Sequence, residues 1–479
     1  MSKKLISNIL VYICILIIVL GFSFYKPIIA DDESYNFQNI NKIVNGAVIY
    51  KECNVIVTPL FFMITVPILK LIGCTLFNFR IVSAVLFSIL FFVFYKMIEG
   101  FNIRKRIAFL ITIITIFWYN IWIALTFSYN TLVVLFVLLS YVIIQKFYKE
   151  DKKYIWLQSI IWFLIFMSKQ NVAILYGVAL FFVEIFFSEK EFKERIKRFV
   201  KIGALSFIYV LVFLGILKAL GILNDFIDYA VIGAKEFGTK NVYITGDGVI
   251  LLLIELALTS LYAIVATSNI MNKKKNHILS IGLIAICMMG IGYPILNSGH
   301  MSKVLLMFLP IIIYIVNNYA LKKEFKFDNL ILNTAILCML VIIGRVIYNV
   351  NNESLNSPSF SKGTVYENLK VYNMDTFKDM VSFLENNNSV MITNSSAMYM
   401  TYVNQNHSYF DLCFYGNVGR RTPTDVIDDI NSSSDIEYVI LKEKSNNDYS
   451  VQEITEVKDY VRSNMRFTKK IGEFEIYEK

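Results

Sequence analysis

The sequence predicts a mostly α-helical, polytopic transmembrane bundle of about eleven spans, with interfacial helices in its first outer loop and a small extracytoplasmic α/β domain at the C-terminus. Three observations predict it. First, 56% of the 479 residues are apolar and only 17% are charged, whereas soluble domains run nearer half and a quarter. Second, apolar runs long enough to cross a bilayer recur up to about residue 350. Third, the charge is divided. Residues 351–479 hold 13 Lys+Arg and 19 Asp+Glu, a balance of −6, so the +9 of the whole chain leaves +15 for residues 1–350. Basic residues between apolar runs orient the spans, and the tail reads as an ordinary, mildly acidic soluble domain.

The expected spans are 5–24, 79–98, 107–126, 130–147, 154–169, 171–187, 200–218, 248–268, 278–296, 303–320 and 328–349. They place Lys3/Lys4, Lys96 with Arg104–Arg106, Lys146–Lys153, Lys190–Lys201, Lys273–Lys275 and Lys322/Lys323/Lys326 on one side. That side holds 22 of the 33 basic residues before 351, so it is the inner one. Residues 58–77 are apolar enough to span, but a span there would invert every later loop. Pro59, Pro67 and Lys70 also interrupt the run, so it reads as an interfacial or re-entrant segment of the first outer loop, 25–78. The first apolar run is too long for a signal peptide, which leaves the N-terminus inside and the tail outside. In the tail, 389–393, 437–442 and 467–478 read as strands, and 375–386, 424–431 and 451–464 as helices. Asp425 and Asp429 suit the start of the second helix.

Composition excludes other classes. Three histidines (His277, His300, His407) and six scattered cysteines without CxxC form no metal or disulfide framework. No phosphate-binding glycine loop is present, and nothing points to nucleic acid. The bundle shows no internal repeat, unlike many transporters.

The most informative segment is the first outer loop: Asp31-Asp32-Glu33-Ser34-Tyr35, then Gly46 to Tyr50, Glu52 and Pro59-Leu60. Three acids just beyond a spanning helix either avoid the inner side or serve as a partly desolvated base. With Gly73 and Arg80, this order resembles the GT-C superfamily of membrane glycosyltransferases. The nearest branch holds protein O-mannosyltransferases and lipid A aminoarabinose transferases. Ser168 to Asn171, Ser298-Gly299-His300 and the closing Ile471 to Tyr477 are similar to bacterial members.

The resemblance implies an inverting glycosyltransferase. A sugar would move from a polyprenyl-phosphate donor to an envelope glycan, glycolipid or protein at the outer face of a bacterial plasma membrane. Asp32 would be the base and Glu33 its orienter. Asp31 matches no family position. Lys169, Arg80, Lys303 and His300 are candidates for the donor phosphate, with structural pairing an equal expectation for Arg80. Tyr35, Tyr50, Glu52 and Gln170 are candidates for substrate, and Glu52 for a divalent cation, the one cofactor considered. Lys218 reads as snorkelling, and Glu255 as a cavity or helix–helix residue. The loop 221–247, punctuated by glycines, is expected to be a mobile lid. A flippase of lipid-linked glycans would show an even span number and repeats. A glycan polymerase would carry Arg and His pairs in a large late loop.

Overall fold

The computed structural model describes residues 3–25, 32–122, 127–272, 276–320, 374–393, 396–403, 414–443 and 454–479. The expected span 328–349 and Asp31 lie outside these residues. Seven described helices are long and apolar enough to cross a membrane. They are α1 (Lys3–Tyr25), α4 (Leu76–Glu99), α6 (Tyr129–Phe147), α8 (Gln170–Phe187), α9 (Phe192–Ala219), α12 (Gly246–Met271) and α14 (Ser298–Ile315), the last prolonged by a π-turn. Two further helices of 18 residues, α5 (Lys105–Trp122) and α7 (Asp151–Ser168), complete the bundle.

Between α1 and α4 lie α2 (Asp32–Val44) and α3 (Leu60–Ile72). At 13 residues α3 is too short to cross, in keeping with an interfacial reading of 58–77. The expected span 278–296 is corrected. Only α13 (Ser280–Met288) is α-helical there, between two 3₁₀ turns, and the chain then becomes extended at Ile295–Leu296. Gly290, Gly292 and Pro294 supply the break.

The loop 221–247 is also corrected: most of it is helical. It runs through α10 (Leu223–Phe226), a π-turn (Ile227–Gly233) and α11 (Ala234–Lys240). It ends in β1 (Tyr243–Ile244), which pairs in parallel with β2 (Ile295–Leu296) and so ties this segment to the start of α14.

The C-terminal domain is a four-stranded sheet in the order β3 (Ser389–Ile392), β4 (Tyr438–Lys442), β6 (Phe474–Glu478), β5 (Arg466–Ile471). β3 and β4 are parallel, and the other pairings are antiparallel. Alternate residues face opposite ways. Val390, Ile392, Val439 and Leu441 pack with α17 (Pro423–Ser432) and α18 (Thr455–Asn464). Met391, Ile440, Phe474 and Ile476 pack with α15 (Met374–Asn386) and α16 (Ser396–Val403). Thr422 caps α17 through a reciprocal box with Asp425.

Candidate functional site

A cavity of about 1060 Å³ lies between α6–α9, the start of α14 and the α10–α11 segment that roofs it. Its polar end is built from three helix beginnings. Tyr129 and Asn130 open α6, Lys169 to Asn171 open α8, and Asn297 and His300 open α14. Each helix start presents the positive end of its dipole. Among the described lining residues there is no Asp or Glu, whereas Lys169 and Lys235 are both present. Such an end suits an anion. The cavity lining also includes the apolar Trp162, Phe163, Phe166, Ile174, Phe207 and Val210 of α7, α8 and α9.

Lys169 occupies a one-residue corner. Ser168 ends α7, Gln170 begins α8, and Lys169 between them is extended. Its ammonium donates to Asn130 Oδ1 at 2.9 Å and stands 5.8 Å from the Tyr129 ring centre. Asn297 caps α14: its Oδ1 accepts the His300 amide at 2.9 Å and lies 2.9 Å from His300 Nδ1. A carbonyl oxygen only accepts, so Nδ1 carries the proton and a neutral His300 keeps Nε2 as an acceptor. His300, expected at phosphate or acceptor, lines the cavity, and in this tautomer its free nitrogen suits a hydroxyl.

Other expected site residues stand elsewhere. Arg80 shows the structural pairing with a loop acid that stood as its equal expectation. It is buried against Glu33, with Nε–Oε1 at 2.7 Å and Nη2–Oε2 at 2.8 Å, and its Nη1 donates to the Ser23 carbonyl. Neither residue lines the cavity. Glu33, expected to be catalytic, therefore fixes the start of α2 against α1 and α4. Lys303 is buried and donates to the Gly299 carbonyl at 2.7 Å, away from the cavity wall. Tyr50 is fully buried at a left-handed φ of 68°. Its hydroxyl donates to Val57 O and its ring meets Phe226 edge-on. It is a strut under the roof, not a substrate contact. Glu52 accepts the Val48 amide in a local turn outside the cavity, and the described residues hold no group of three metal-ligating side chains.

Tyr35 and Gln170 do line the cavity. Gln170 bridges the Ile56 and Ala230 carbonyls, joining the loop between α2 and α3 to the roof. Asp32 opens α2, one helical turn before Tyr35; its side chain lies outside the described residues. Sequence reasoning missed Asn130, Asn297 and Trp162. An Asn just inside or before an apolar run was the available signal for the first two.

The C-terminal domain seals the roof. Arg420 donates from its amide and its Nε to Asp228 Oδ1, each at 2.8 Å, and Arg421 donates to the Tyr229 hydroxyl. Asn241 donates to Tyr415 O, and Phe414 enters the cavity wall beside Phe237. At the crossing, a Cβ on Gly233 would stand 2.4 Å from Gly416 O, and one on Gly416 would stand 2.5 Å from Gly233 O. Only two glycines allow the backbones so close.

No family model matches the chain, and no curated protein matches it.

Proposed function

We propose that the protein is an inverting glycosyltransferase that takes a sugar from a polyprenyl-phosphate donor and transfers it to an envelope acceptor. It would act at the outer face of a bacterial plasma membrane, with its C-terminal domain outside. The observation that carries this reading is the mixed lining of the cavity. Three helix starts and Lys169, without a carboxylate in the described lining, form its polar part, and apolar side chains of α7, α8 and α9 complete it. An amphipathic anion fits both parts at once. A lipid phosphate held by Lys169 and the helix starts would leave with its developing charge stabilised where it forms. Asp32, one turn before the cavity-lining Tyr35, would take the proton of the acceptor hydroxyl. Its oxygen would attack the anomeric carbon from the side opposite the phosphate. Glu33 and Arg80 position α2, and His300 Nε2 accepts a hydroxyl of sugar or acceptor.

The test is turnover by purified protein in nanodiscs, supplied with an undecaprenyl-phosphate sugar and an envelope extract. Asp32→Asn is expected to lose a factor of at least about 10² in kcat. Lys169→Gln is expected to raise donor KM and lower kcat together, because the phosphate is held before and during transfer. Lys169→Arg keeps the charge and part of the activity. Unchanged kinetics in both Asp32→Asn and Lys169→Gln would overturn the reading.

A further inference from the structure

We propose that Trp162 is the floor at which the hydrocarbon tail of the ligand turns out of the cavity, and that Gly203 holds open its exit between α8 and α9; this rests on the lipid-phosphate reading above. Trp162 stands on α7 seven residues before Lys169, which puts it about 10 Å below the lysine at 1.5 Å per residue. Its ring is fixed. Nε1 donates to Ala173 O at 2.8 Å, and one face stacks on Phe199 with centroids 6.1 Å apart.

The two glycines beside the ring do different things. A Cβ on Gly177 would lie 2.2 Å from Trp162 Cζ2, so α8 needs glycine there to seat the indole. A Cβ on Gly203 would lie 3.5 Å from Cζ3, an ordinary contact. The indole does not require that glycine. Gly203 lines the cavity, so the space its missing side chain leaves belongs to the ligand.

The way out is marked by exposure. Ile174 on α8 and Phe207 on α9 both line the cavity, yet they are 69% and 60% exposed. The apolar wall therefore continues from the cavity to the outer face of the bundle, where lipid covers it. A tail descending from the phosphate meets Trp162, cannot pass, and leaves sideways over these two residues. The protein then holds only the tail segment nearest the phosphate, and a long tail needs the exit whereas a short one does not.

The experiment uses the full-length protein in nanodiscs and two probes, geranyl phosphate and undecaprenyl phosphate, with binding read by native mass spectrometry. Wild type binds both. Gly203→Leu is expected to weaken undecaprenyl phosphate at least tenfold and geranyl phosphate less than twofold, while Gly203→Ala binds both as wild type does. Equal losses for the two probes would overturn the exit. A diazirine in the tail of undecaprenyl phosphate gives an independent measurement on the wild type. Its label is expected on the α8–α9 wall at Ile174 or Phe207, and label confined to other helices would overturn the route. If the wild type binds neither phosphate, the lipid-phosphate reading itself falls, and the exit with it.

Discussion

Glu33 and Arg80 neutralise each other where water reaches neither, at 1% and 3% exposure. Removing one partner of such a pair leaves a buried charge and costs about 3–5 kcal/mol. Glu33→Gln is therefore expected to lower thermal stability by that order, and Glu33→Gln combined with Arg80→Gln to recover part of it. A Glu33→Gln protein of full stability and no activity would instead make Glu33 a substrate contact. Cys53, between α2 and α3, gives a pH test. Burial pushes its thiol up to about 11, Lys42 works the other way, and Glu52 adds to the rise. Below that value the folded protein keeps the thiol protonated, so at pH 8 the nucleophilic thiolate is scarce. In a variant retaining only Cys53, iodoacetamide is expected to label the folded protein slowly at pH 8 and the unfolded protein fast; rapid labelling of both would contradict the burial.

The roof from α10 to α11 owes its shape to partners distant in sequence, and that is why the chain alone did not disclose it. Gly233, Gly238 and Gly246 read as loop punctuation. Packing of Phe226 on Tyr50, and of Gly233 on Gly416, overrides that local tendency. The sequence offered Arg80 a loop acid as partner without saying which one: spacing locates charges but not which loop folds back on which helix. By contrast α3 and the C-terminal strands were legible, because length and alternation are local signals. Lys169 was legible for the same reason, as a charge at a break between two apolar helices. The broken segment 278–296 was read as a span because its apolar content outweighed Gly290, Gly292 and Pro294. A Gly416→Val substitution tests the roof. Gly416 has a φ of +91° and no room for a side chain, so the valine is expected to part the two segments. Hydrogen exchange in residues 228–240 should then quicken on the order of tenfold, equivalent to about 1.4 kcal/mol, with α4 and α6 unchanged. Exchange that stays slow throughout would show that the domain does not hold the roof.

The molecule as a whole joins a bundle with seven described helices long and apolar enough to cross a membrane to a domain whose sheet is covered on both faces. Those two cores draw only on residues of the C-terminal part, apart from the seam at Phe414. Residues 351–479 expressed alone are therefore expected to fold, with a mixed α/β circular dichroism spectrum and a cooperative melt; a disordered spectrum would refute this. Two of the helices whose first turns line the cavity have a counterpart at their far ends. α6 and α8 end close to Lys146–Lys153 and Lys190–Lys201, the basic clusters assigned to the inner side. Carbonyl ends carry partial negative charge, which lysines offset. The charges expected to orient the chain thus gather at the carbonyl pole of these helices, while their amide pole faces the cavity.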